Sequence, residues 1–291
     1  MATFATSDQL LVIIDPVARR TDGESVRIAK DVLSAGAAST KVCLPEDPEE
    51  FARALARRGS RRPVVVGDDG ALTRAVALLH RQRALAECVL SVVPVGGSLS
   101  VAHALGVPTG AVAAARAVLD GAERRLDLLV DDSDGVVLGS LRIPALPTAW
   151  DVLPPDPSGR PWLQSLVRTL APIRSSRSSR SSRRPARPDV AAPLPHGPAR
   201  LRVEVDGATL VDLDQPVETV SVTPRASGTA EVVVRPSSVG AEGAPLQAYG
   251  RTVTVSGADF HYRADAAVAG PVRRRTWTVR EGALGLMLPV R

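Results

Sequence analysis

Short apolar runs alternate with stretches of helical periodicity over the first 130 residues of the chain. The apolar runs predict buried strands at 10–14, 41–44, 63–66 and 88–93, with a further strand at 124–130. The helical stretches are 24–35, 47–57, one that ends at His80, one that ends near Leu105, and 110–120. This alternation predicts a parallel α/β sheet, whose ligands bind beyond the carboxyl ends of the strands. Those ends are the loops at 15–20, 67–71 and 94–98.

The hydrophobic period changes to two after residue 131, and turns that contain glycine recur between the alternating segments. These segments are 200–206, 217–223, 229–235, 251–256 and 274–279. The pattern predicts an all-β C-terminal domain, an antiparallel sandwich. The sequence is therefore divided into an α/β domain over 1–130 and a β domain formed by 131–171 and 199–291.

A run of acidic residues begins the β region and allows two interpretations. Asp131, Asp132 and Asp134 could together hold a cation. Asp134 followed by Gly135 is also typical of a solvated hairpin turn, which is the simpler interpretation.

The segment at 172–198 consists mainly of Pro, Ser and Arg and includes an Arg-Ser-Ser repeat. Such a composition cannot bury apolar surface, so we expect a disordered linker insertion. Residues 172–188 hold six arginines and no acid, whereas the whole chain has a net charge of +5. The rest of the chain is therefore close to neutral, which argues against nucleic-acid binding by the folded parts. Contact of the linker with RNA, anionic lipid or a kinase stays open beside its interpretation as a solvated connection with no specific partner.

Several other classes of protein are disfavoured by the sequence. The chain lacks an apolar run as long as a membrane span, and residues 1–9 lack the regions of a signal peptide. We therefore expect a cytoplasmic protein, which at most associates peripherally with a membrane. Cys43 and Cys88 have no metal or disulfide spacing, and the four histidines have no metal-binding spacing. A hydrolase pattern of Ser, His and Asp is also missing.

The turn at 67–71, with the sequence Gly-Asp-Asp-Gly-Ala, follows a predicted strand and precedes a helix. A glycine-bearing turn in this position can direct backbone N–H groups at a phosphate, and the helix dipole favours the anion. Considered alone, such a turn is more often simply a polar loop.

Together with its neighbours, this turn resembles the catalytic domain of diacylglycerol kinases, sphingosine kinases and their bacterial lipid-kinase relatives. The family has Asn-Pro after its first strand, where this chain has Asp15-Pro16. It has Gly-Gly-Asp-Gly-Thr after the third strand, here residues 67–71, and Pro-x-Gly-Thr-x-Asn-Asp-Phe-Ala-Arg after the fourth, here residues 94–103. Near the end of the chain, Asp265-Ala266-Ala267 stands in the place of the family's Asp-Gly-Glu.

The resemblance implies a fold like that of NAD kinase and diacylglycerol kinase, with ATP and Mg²⁺ as cofactors. Asp69 is the candidate metal ligand if the chain is an active kinase. The nucleotide-binding positions that it implies are Asp15, Gly67, Asp68, Asp69, Gly70, Ala71, Gly96, Gly97 and Ser98.

The chain departs from the family at the phosphate and metal positions. Asp68 replaces the second glycine of the turn, and Ala71 replaces its threonine. A carboxylate at about 4 Å from a phosphate charge costs about 4 kcal/mol at an effective dielectric constant of about 20. Asp also tolerates a positive φ less well than Gly. Gly97, Leu99 and Ser100 replace the polar Thr, Asn and Asp of the next motif.

The third departure concerns the general base, which the resemblance places at the Glu of Asp-Gly-Glu. Ala267 stands there and cannot accept a proton, and loss of a general base costs about 10²–10⁴ in rate. We therefore identify no catalytic residue, only the degenerate motif Asp265-Ala266-Ala267. Three hypotheses result. The first is a lipid-kinase fold kept as a binding or regulatory module, a pseudokinase. The second is an active ATP-dependent lipid kinase with altered site residues, in which Asp69 binds Mg²⁺ and Asp265 is a displaced base. The third is an interaction protein whose basic linker binds an anionic surface.

Overall fold

The computed structural model describes residues 9–145, 198–237 and 244–290, which belong to one compact unit. The helices are α1 (Pro16–Thr21), α2 (Gly23–Gly36), α3 (Pro48–Ala56), α4 (Asp69–Arg81), α5 (Ser100–Ala104) and α6 (Ala111–Asp120). The strands are β1 (Gln9–Ile14), β2 (Ser39–Cys43), β3 (Arg62–Gly67), β4 (Val89–Pro94), β5 (Ala122–Asp131), β6 (Val136–Val137), β7 (Leu141–Ile143), β8 (Ala199–Val205), β9 (Ala208–Val211), β10 (Pro216–Arg225), β11 (Thr229–Pro236), β12 (Leu246–Gly250), β13 (Thr252–Ala264) and β14 (Ala267–Leu288). The predicted linker lies, except for its last residue, outside the described residues, and the division into two domains stays a prediction.

Strands β1 to β4 pair in parallel, with β1 between β2 and β3 and with β4 beside β3. Strand β1 is buried on both faces because helices cover both sides of this part of the sheet. Its residues Leu11 and Ile13 join one apolar core, and Leu10, Val12 and Ile14 join the other. A strand buried on two faces reads as a continuous apolar run, as this one does.

Helices α1 to α4 each begin directly after an aspartate, whose side chain caps the helix. At α3, the Asp47 side chain accepts a hydrogen bond of 2.7 Å from the Glu50 amide, and Pro48 occupies the first helical position. At α2, the Asp22 side chain accepts one of 3.0 Å from the Ser25 amide. These bonds satisfy amides that would otherwise have no partner at the helix start. No helix among the described residues is both long and apolar enough to cross a membrane.

The second half of the chain is rich in strands, and its longest strand joins it to the parallel part. Strand β14 pairs antiparallel with β13 and with β5, and near its end it pairs in parallel with β4. The β region has its own apolar core, in which Trp277 is fully buried and meets the ring of Tyr262 edge-on at 5.2 Å. Because β14 runs through both parts, the loops of the parallel sheet and of the β region belong to one framework.

The acidic turn between β5 and β6 is only partly solvated, because Asp131 is buried. Its carboxylate accepts hydrogen bonds of 2.8 Å from the Ser133 amide, the Ser133 hydroxyl and the Gly135 amide. The Tyr262 hydroxyl donates a further bond of 3.2 Å. Burial by itself would raise the pKa of Asp131, but these bonds and the nearby Arg275 charge hold that pKa below its ordinary value of 3.8. Asp131 therefore fixes the turn.

We expect Asp131 to contribute stability that is lost in acid. Its pKa is lower in the folded than in the unfolded chain, so this stability is present above pH 3.8 and is lost as the pH falls through the folded-state value. Asp131→Asn should lower the free energy of unfolding at pH 7, and should also flatten its fall below pH 4. Urea unfolding at a series of pH values measures both effects. A variant with the wild-type slope in acid would contradict this role.

Candidate functional site

The carboxyl ends of β1, β3 and β4 meet at one edge of the parallel sheet. The Asp15 amide donates to the Val66 carbonyl at 2.9 Å, and the Val95 amide donates to the Gly67 carbonyl at 3.0 Å. A Cβ at Gly67 would lie 2.6 Å from the Ala71 Cβ and 3.0 Å from the Asp15 Cβ. Only glycine therefore fits at this position, where the loop after β1 touches the loop after β3.

Asp68 caps the start of α4 with its own side chain. It is the N-cap residue, and its Oδ1 accepts a hydrogen bond of 3.0 Å from the Ala71 amide. The φ of Asp68 is −82°, so the expectation of an unfavourable positive φ at this position was wrong. Replacement of Gly by Asp here is conformationally tolerated because the residue adopts the extended N-cap conformation. The carboxylate occupies the position at which a helix start offers its amides to an anion.

The loop after β4 lies directly against the Asp68 side chain. Gly96 has a φ of 128°, and a Cβ there would lie 3.2 Å from the Asp68 Cβ. A Cβ at Gly70 would lie 3.2 Å from the Asp68 Oδ1, whereas a Cβ at Gly97 would meet no atom within 4 Å. Gly70 and Gly96 thus leave space that the Asp68 side chain partly fills.

Asp15 lies beneath the same edge of the sheet and is paired with a cation. Only 2% of its surface is exposed, and its two oxygens accept bonds of 2.8 Å from the Val17 amide and 2.7 Å from the Arg74 Nη1. The Arg74 guanidinium also lies over the Phe51 ring, at 5.7 Å from the ring centroid. Where the resemblance implied a nucleotide contact, Asp15 caps α1 and forms an ion pair with α4.

Asp69 joins the turn at 67–71 to the start of α5. The residue is fully buried, and its Oδ2 accepts bonds from the Ser98 hydroxyl at 2.9 Å, the Ser100 hydroxyl at 3.1 Å and the Val101 amide at 3.0 Å. Its Oδ1 accepts a bond of 3.0 Å from the Ala102 amide. Four donors around one carboxylate compensate for the cost of burying its charge. Asp69 thus acts as the capping group for α5.

This arrangement is a poor fit for Mg²⁺, which requires oxygen atoms that present lone pairs. The groups that face Asp69 are two hydroxyls and two amides, and all four donate hydrogen atoms to it. No cluster of three or more His, Cys, Asp or Glu side chains suited to a metal occurs within 9–145, 198–237 and 244–290. The assignment of a metal to Asp69 stays a prediction, and the local geometry disfavours it.

The degenerate base motif forms the tip of the hairpin between β13 and β14. Asp265 has a φ of 52°, which Asp tolerates better than most residues, and Ala264 pairs with Ala267 across the turn. Ala266 and Ala267 are exposed. The position that the resemblance assigns to the general base thus carries a methyl group that faces solvent.

The Asp265 carboxylate is held by the loop that connects β6 and β7. It accepts bonds of 2.8 Å from the Leu138 amide, 2.7 Å from the Gly139 amide and 3.0 Å from the Ser140 amide. Burial raises the pKa of Asp265, and the charge of Asp69 adds to the rise, although the three amides act to lower it. A Cβ at Gly139 would lie 3.8 Å from the Val101 Cγ1, and the Val101 amide donates to Asp69, so the loop that holds Asp265 lies close to the start of α5.

A cavity of about 580 Å³ lies beside this loop. Leu138 and Gly139 line it, together with Leu126 from β5 and Gly282 from β14. The walls also carry charged groups of both signs: Arg125, Asp127, Arg225 and Glu281. The size is suitable for a small ligand, and the cavity is adjacent to the residues that hold Asp265.

Two features of this site were not found in the sequence. Arg74 was not singled out, although its spacing of three residues from Ala71 places both on one face of α4 and could have suggested it. Ser98 was predicted as a nucleotide contact and Ser100 was considered the loss of a polar ligand, but the hydroxyls of both hold Asp69 in place. The sequence did contain a signal for this role: at position 100, serine, whose hydroxyl can donate a hydrogen bond, replaces the family's aspartate, which can only accept one.

Comparisons with known proteins agree with this architecture. Residues 9–130 match the family model of the diacylglycerol kinase catalytic domain. A crystal structure of a provisionally assigned diacylglycerol kinase from Bacillus anthracis is 13% identical, with a TM-score of 0.69 over 99% of this chain and 98% of that chain. A second crystal structure, of a diacylglycerol kinase from the same organism, is 12% identical, with a TM-score of 0.66 over 97% of each chain. No curated protein matches the sequence.

Proposed function

We propose that this chain is a pseudokinase of the diacylglycerol kinase-like lipid kinase family, whose catalytic-domain model residues 9–130 match. It keeps the family's fold and acts as a binding or regulatory module. It binds ATP and Mg²⁺ weakly or not at all, and it does not transfer phosphate to lipids.

The observation that carries this proposal is the Asp68 side chain at the start of α4. A phosphate that approaches this helix would meet a carboxylate and would have to displace the bond between Asp68 and the Ala71 amide. Both effects oppose binding of an anion, because the charge repels it and the donor is already in use. Arg74 offers little compensation, since its Nη1 is bound to Asp15.

Two further features support the loss of catalysis. The Asp69 carboxylate is saturated by donors from Ser98, Ser100, Val101 and Ala102, so a metal would have to break this network. Ala267 supplies no base. The phosphate site, the metal site and the base are thus altered together, and such effects on one assembly are not additive.

One observation favours the second candidate, an active lipid kinase with altered residues. Burial raises the pKa of Asp265, and Asp69 adds to the rise. A carboxylate with a raised pKa near a cavity has the properties of a general base. Against this role, three amides already hold its two oxygens and orient them towards Leu138, Gly139 and Ser140.

Calorimetric titration with Mg-ATP, followed by a phosphoryl-transfer assay on a lipid panel, tests the proposal. We expect ATP binding that is undetectable or weak, and no phosphorylation of diacylglycerol or sphingosine above the level without protein. Turnover at the rate of an ordinary kinase would refute the pseudokinase. Turnover that disappears in Asp265→Ala but persists in the surface variant Asp259→Ala would identify the second candidate.

The third hypothesis, a basic linker on an anionic surface, concerns residues outside the described ranges. We expect deletion of 172–198 to abolish salt-sensitive binding to anionic vesicles, if the full chain shows such binding, because that segment carries the excess positive charge.

A further inference from the structure

A second cavity, of about 570 Å³, lies at the opposite edge of the parallel sheet from the turn at 67–71. Its wall comes from the turn before β3, the connection between α4 and β4, and the junction of α6 with β5. Strand β3 spans five residue steps from Arg62 to Gly67, so the two edges are separated by roughly 17 Å. This cavity is therefore a separate feature from the degenerate nucleotide site.

The cavity is basic, although the folded part of the chain is close to neutral. Four guanidinium groups line it, against two carboxylates, in the set Arg58, Arg61, Arg62, Arg125, Glu87 and Glu123. Glu123 is already paired with the Arg125 Nε at 2.7 Å. Glu87 is exposed and forms no ion pair with any residue in the described ranges. Apart from Arg125, which pairs with Glu123, the arginines of the wall outnumber its carboxylates, and a cavity with such walls concentrates anions.

Two of the arginines are positioned by hydrogen bonds to the backbone. The Arg58 Nη1 donates to the Leu55 carbonyl at 3.2 Å, and the Arg125 Nη1 donates to the Ala86 carbonyl at 3.0 Å. Each guanidinium has five donors, so both retain donors for a ligand. The Nε of Arg61 is buried and has no hydrogen-bond partner in the described part of the chain.

The floor of the cavity is apolar and contains a neutral thiol. Pro63, Val89 and Met287 line it beside Cys88. Burial raises the pKa of the Cys88 thiol, although Arg58 and Arg125 oppose the rise, so the thiol stays protonated at neutral pH. A Cβ at position 285 would lie 3.2 Å from the Glu123 Oε1 and 3.4 Å from the Arg125 Cζ, so glycine there leaves room for this ion pair. A basic rim above an apolar floor suits a ligand with an anionic head and a small apolar body.

We propose that this cavity binds a small organic phosphate, with the phosphate held by Arg58 and Arg61 and its apolar part on Met287 and Pro63. Guanidinium groups bind phosphate through two parallel hydrogen bonds, which makes them suited to this dianion. The ligand is either a soluble phosphomonoester or the headgroup of a phospholipid, and both present the same chemistry to the arginines.

Calorimetric titration of the full chain with phenyl phosphate and with inorganic phosphate tests the soluble source. Phenyl phosphate should bind more tightly than inorganic phosphate, because its ring can bury apolar surface on the floor. The double variant Arg58→Gln/Arg61→Gln should weaken binding about tenfold or more, as expected for loss of charge-assisted hydrogen bonds. The matched control is Arg57→Gln, an exposed arginine that does not line the cavity, and it should leave the affinity unchanged within experimental error.

Co-sedimentation with vesicles of phosphatidylcholine that contain phosphatidic acid tests the lipid source. Vesicle binding that depends on Arg58 and Arg61 but not on Arg57, without binding of phenyl phosphate, would assign the phosphate to a lipid headgroup. The single variant Arg61→Gln, checked by thermal unfolding, keeps the test valid if the double variant fails to fold. Absence of binding to every phosphate probe would overturn the proposal. So would an equal loss of affinity in Arg57→Gln.

Discussion

Asp68→Gly should increase the affinity of the protein for Mg-ATP by about tenfold or more, because it frees one helix-start amide and removes one negative charge. The Asp68 Oδ1 now accepts the Ala71 amide at 3.0 Å. Glycine is itself tolerated as an N-cap, at a cost of a few tenths of a kcal/mol, so the fold should be retained. Calorimetric titration with Mg-ATP measures the change.

Asp68→Asn is the matched control for this experiment. Asparagine keeps the cap, since its side-chain oxygen can accept the same amide, but it carries no charge. We expect an affinity gain smaller than that of Asp68→Gly, because the Ala71 amide stays in use. Equal gains in the two variants would show that charge alone excludes the nucleotide. No gain in either would contradict a blocking role for Asp68.

Turnover should appear only when the base is restored as well. In a background of Asp68→Gly, Ala71→Thr, Gly97→Thr, Leu99→Asn and Ser100→Asp, we expect tighter Mg-ATP binding without measurable phosphoryl transfer. Addition of Ala267→Glu should then raise the transfer rate by about 10²–10⁴, the usual contribution of a general base. The assay is radiolabelled phosphate transfer to diacylglycerol. Equal rates with and without Ala267→Glu would contradict the assignment of that position.

Ser100→Asp also has a readout that does not depend on activity. It replaces a hydroxyl that donates to Asp69 by a second carboxylate, in a place where Asp69 is fully buried. The free energy of unfolding should therefore fall in Ser100→Asp, and Mg²⁺ should restore part of it. The wild-type protein should show no such response to Mg²⁺.

Asp69→Ala should lower the free energy of unfolding by about 2–5 kcal/mol, the largest loss that we expect from a single residue. The substitution leaves the Val101 and Ala102 amides and two serine hydroxyls without their acceptor, in a buried place. The hydroxyls can rotate towards other groups, but the amides cannot. Urea unfolding followed by circular dichroism measures the loss.

The matched control is Asp68→Ala at the neighbouring position. It removes one cap bond to the Ala71 amide from a partly exposed site and should cost about 1 kcal/mol. If the two variants lose the same free energy, Asp69 does not fix α5 in the way described. Proteolysis of the native protein should increase within 98–105 for Asp69→Ala only, since the start of α5 would open.

The elements of the parallel sheet were predictable because their signals are local. Buried strands such as β1 show as apolar runs, and the acidic N-caps of α2 and α3 precede each helix directly. The strands of the β region follow from alternation in the same way. The sequence could not indicate that β14 continues from the β hairpin to a parallel pairing with β4, because strand pairing depends on contacts between distant residues.

The site was predictable in position but not in the role of its residues. The loops after β1, β3 and β4 were correctly expected to meet, since the carboxyl ends of parallel strands share one edge. The ion pair between Asp15 and Arg74, across 59 residues, could not be predicted, because one sequence gives no information on which distant charges approach. The same holds for Asp265, whose three amide partners lie more than 120 residues earlier in the chain.

By itself, the sequence determined which chemical groups this protein lacks: a glycine at 68, a threonine at 71 and a carboxylate at 267. These absences follow from residue identity and need no coordinates. Only the tertiary structure decided what the replacements do, namely that Asp68 caps α4, that Asp69 holds the start of α5, and that Asp265 is held by the loop at 138–140. The physical reason is that the role of a carboxylate depends on the donors within about 3 Å of its oxygens, and the fold sets those donors.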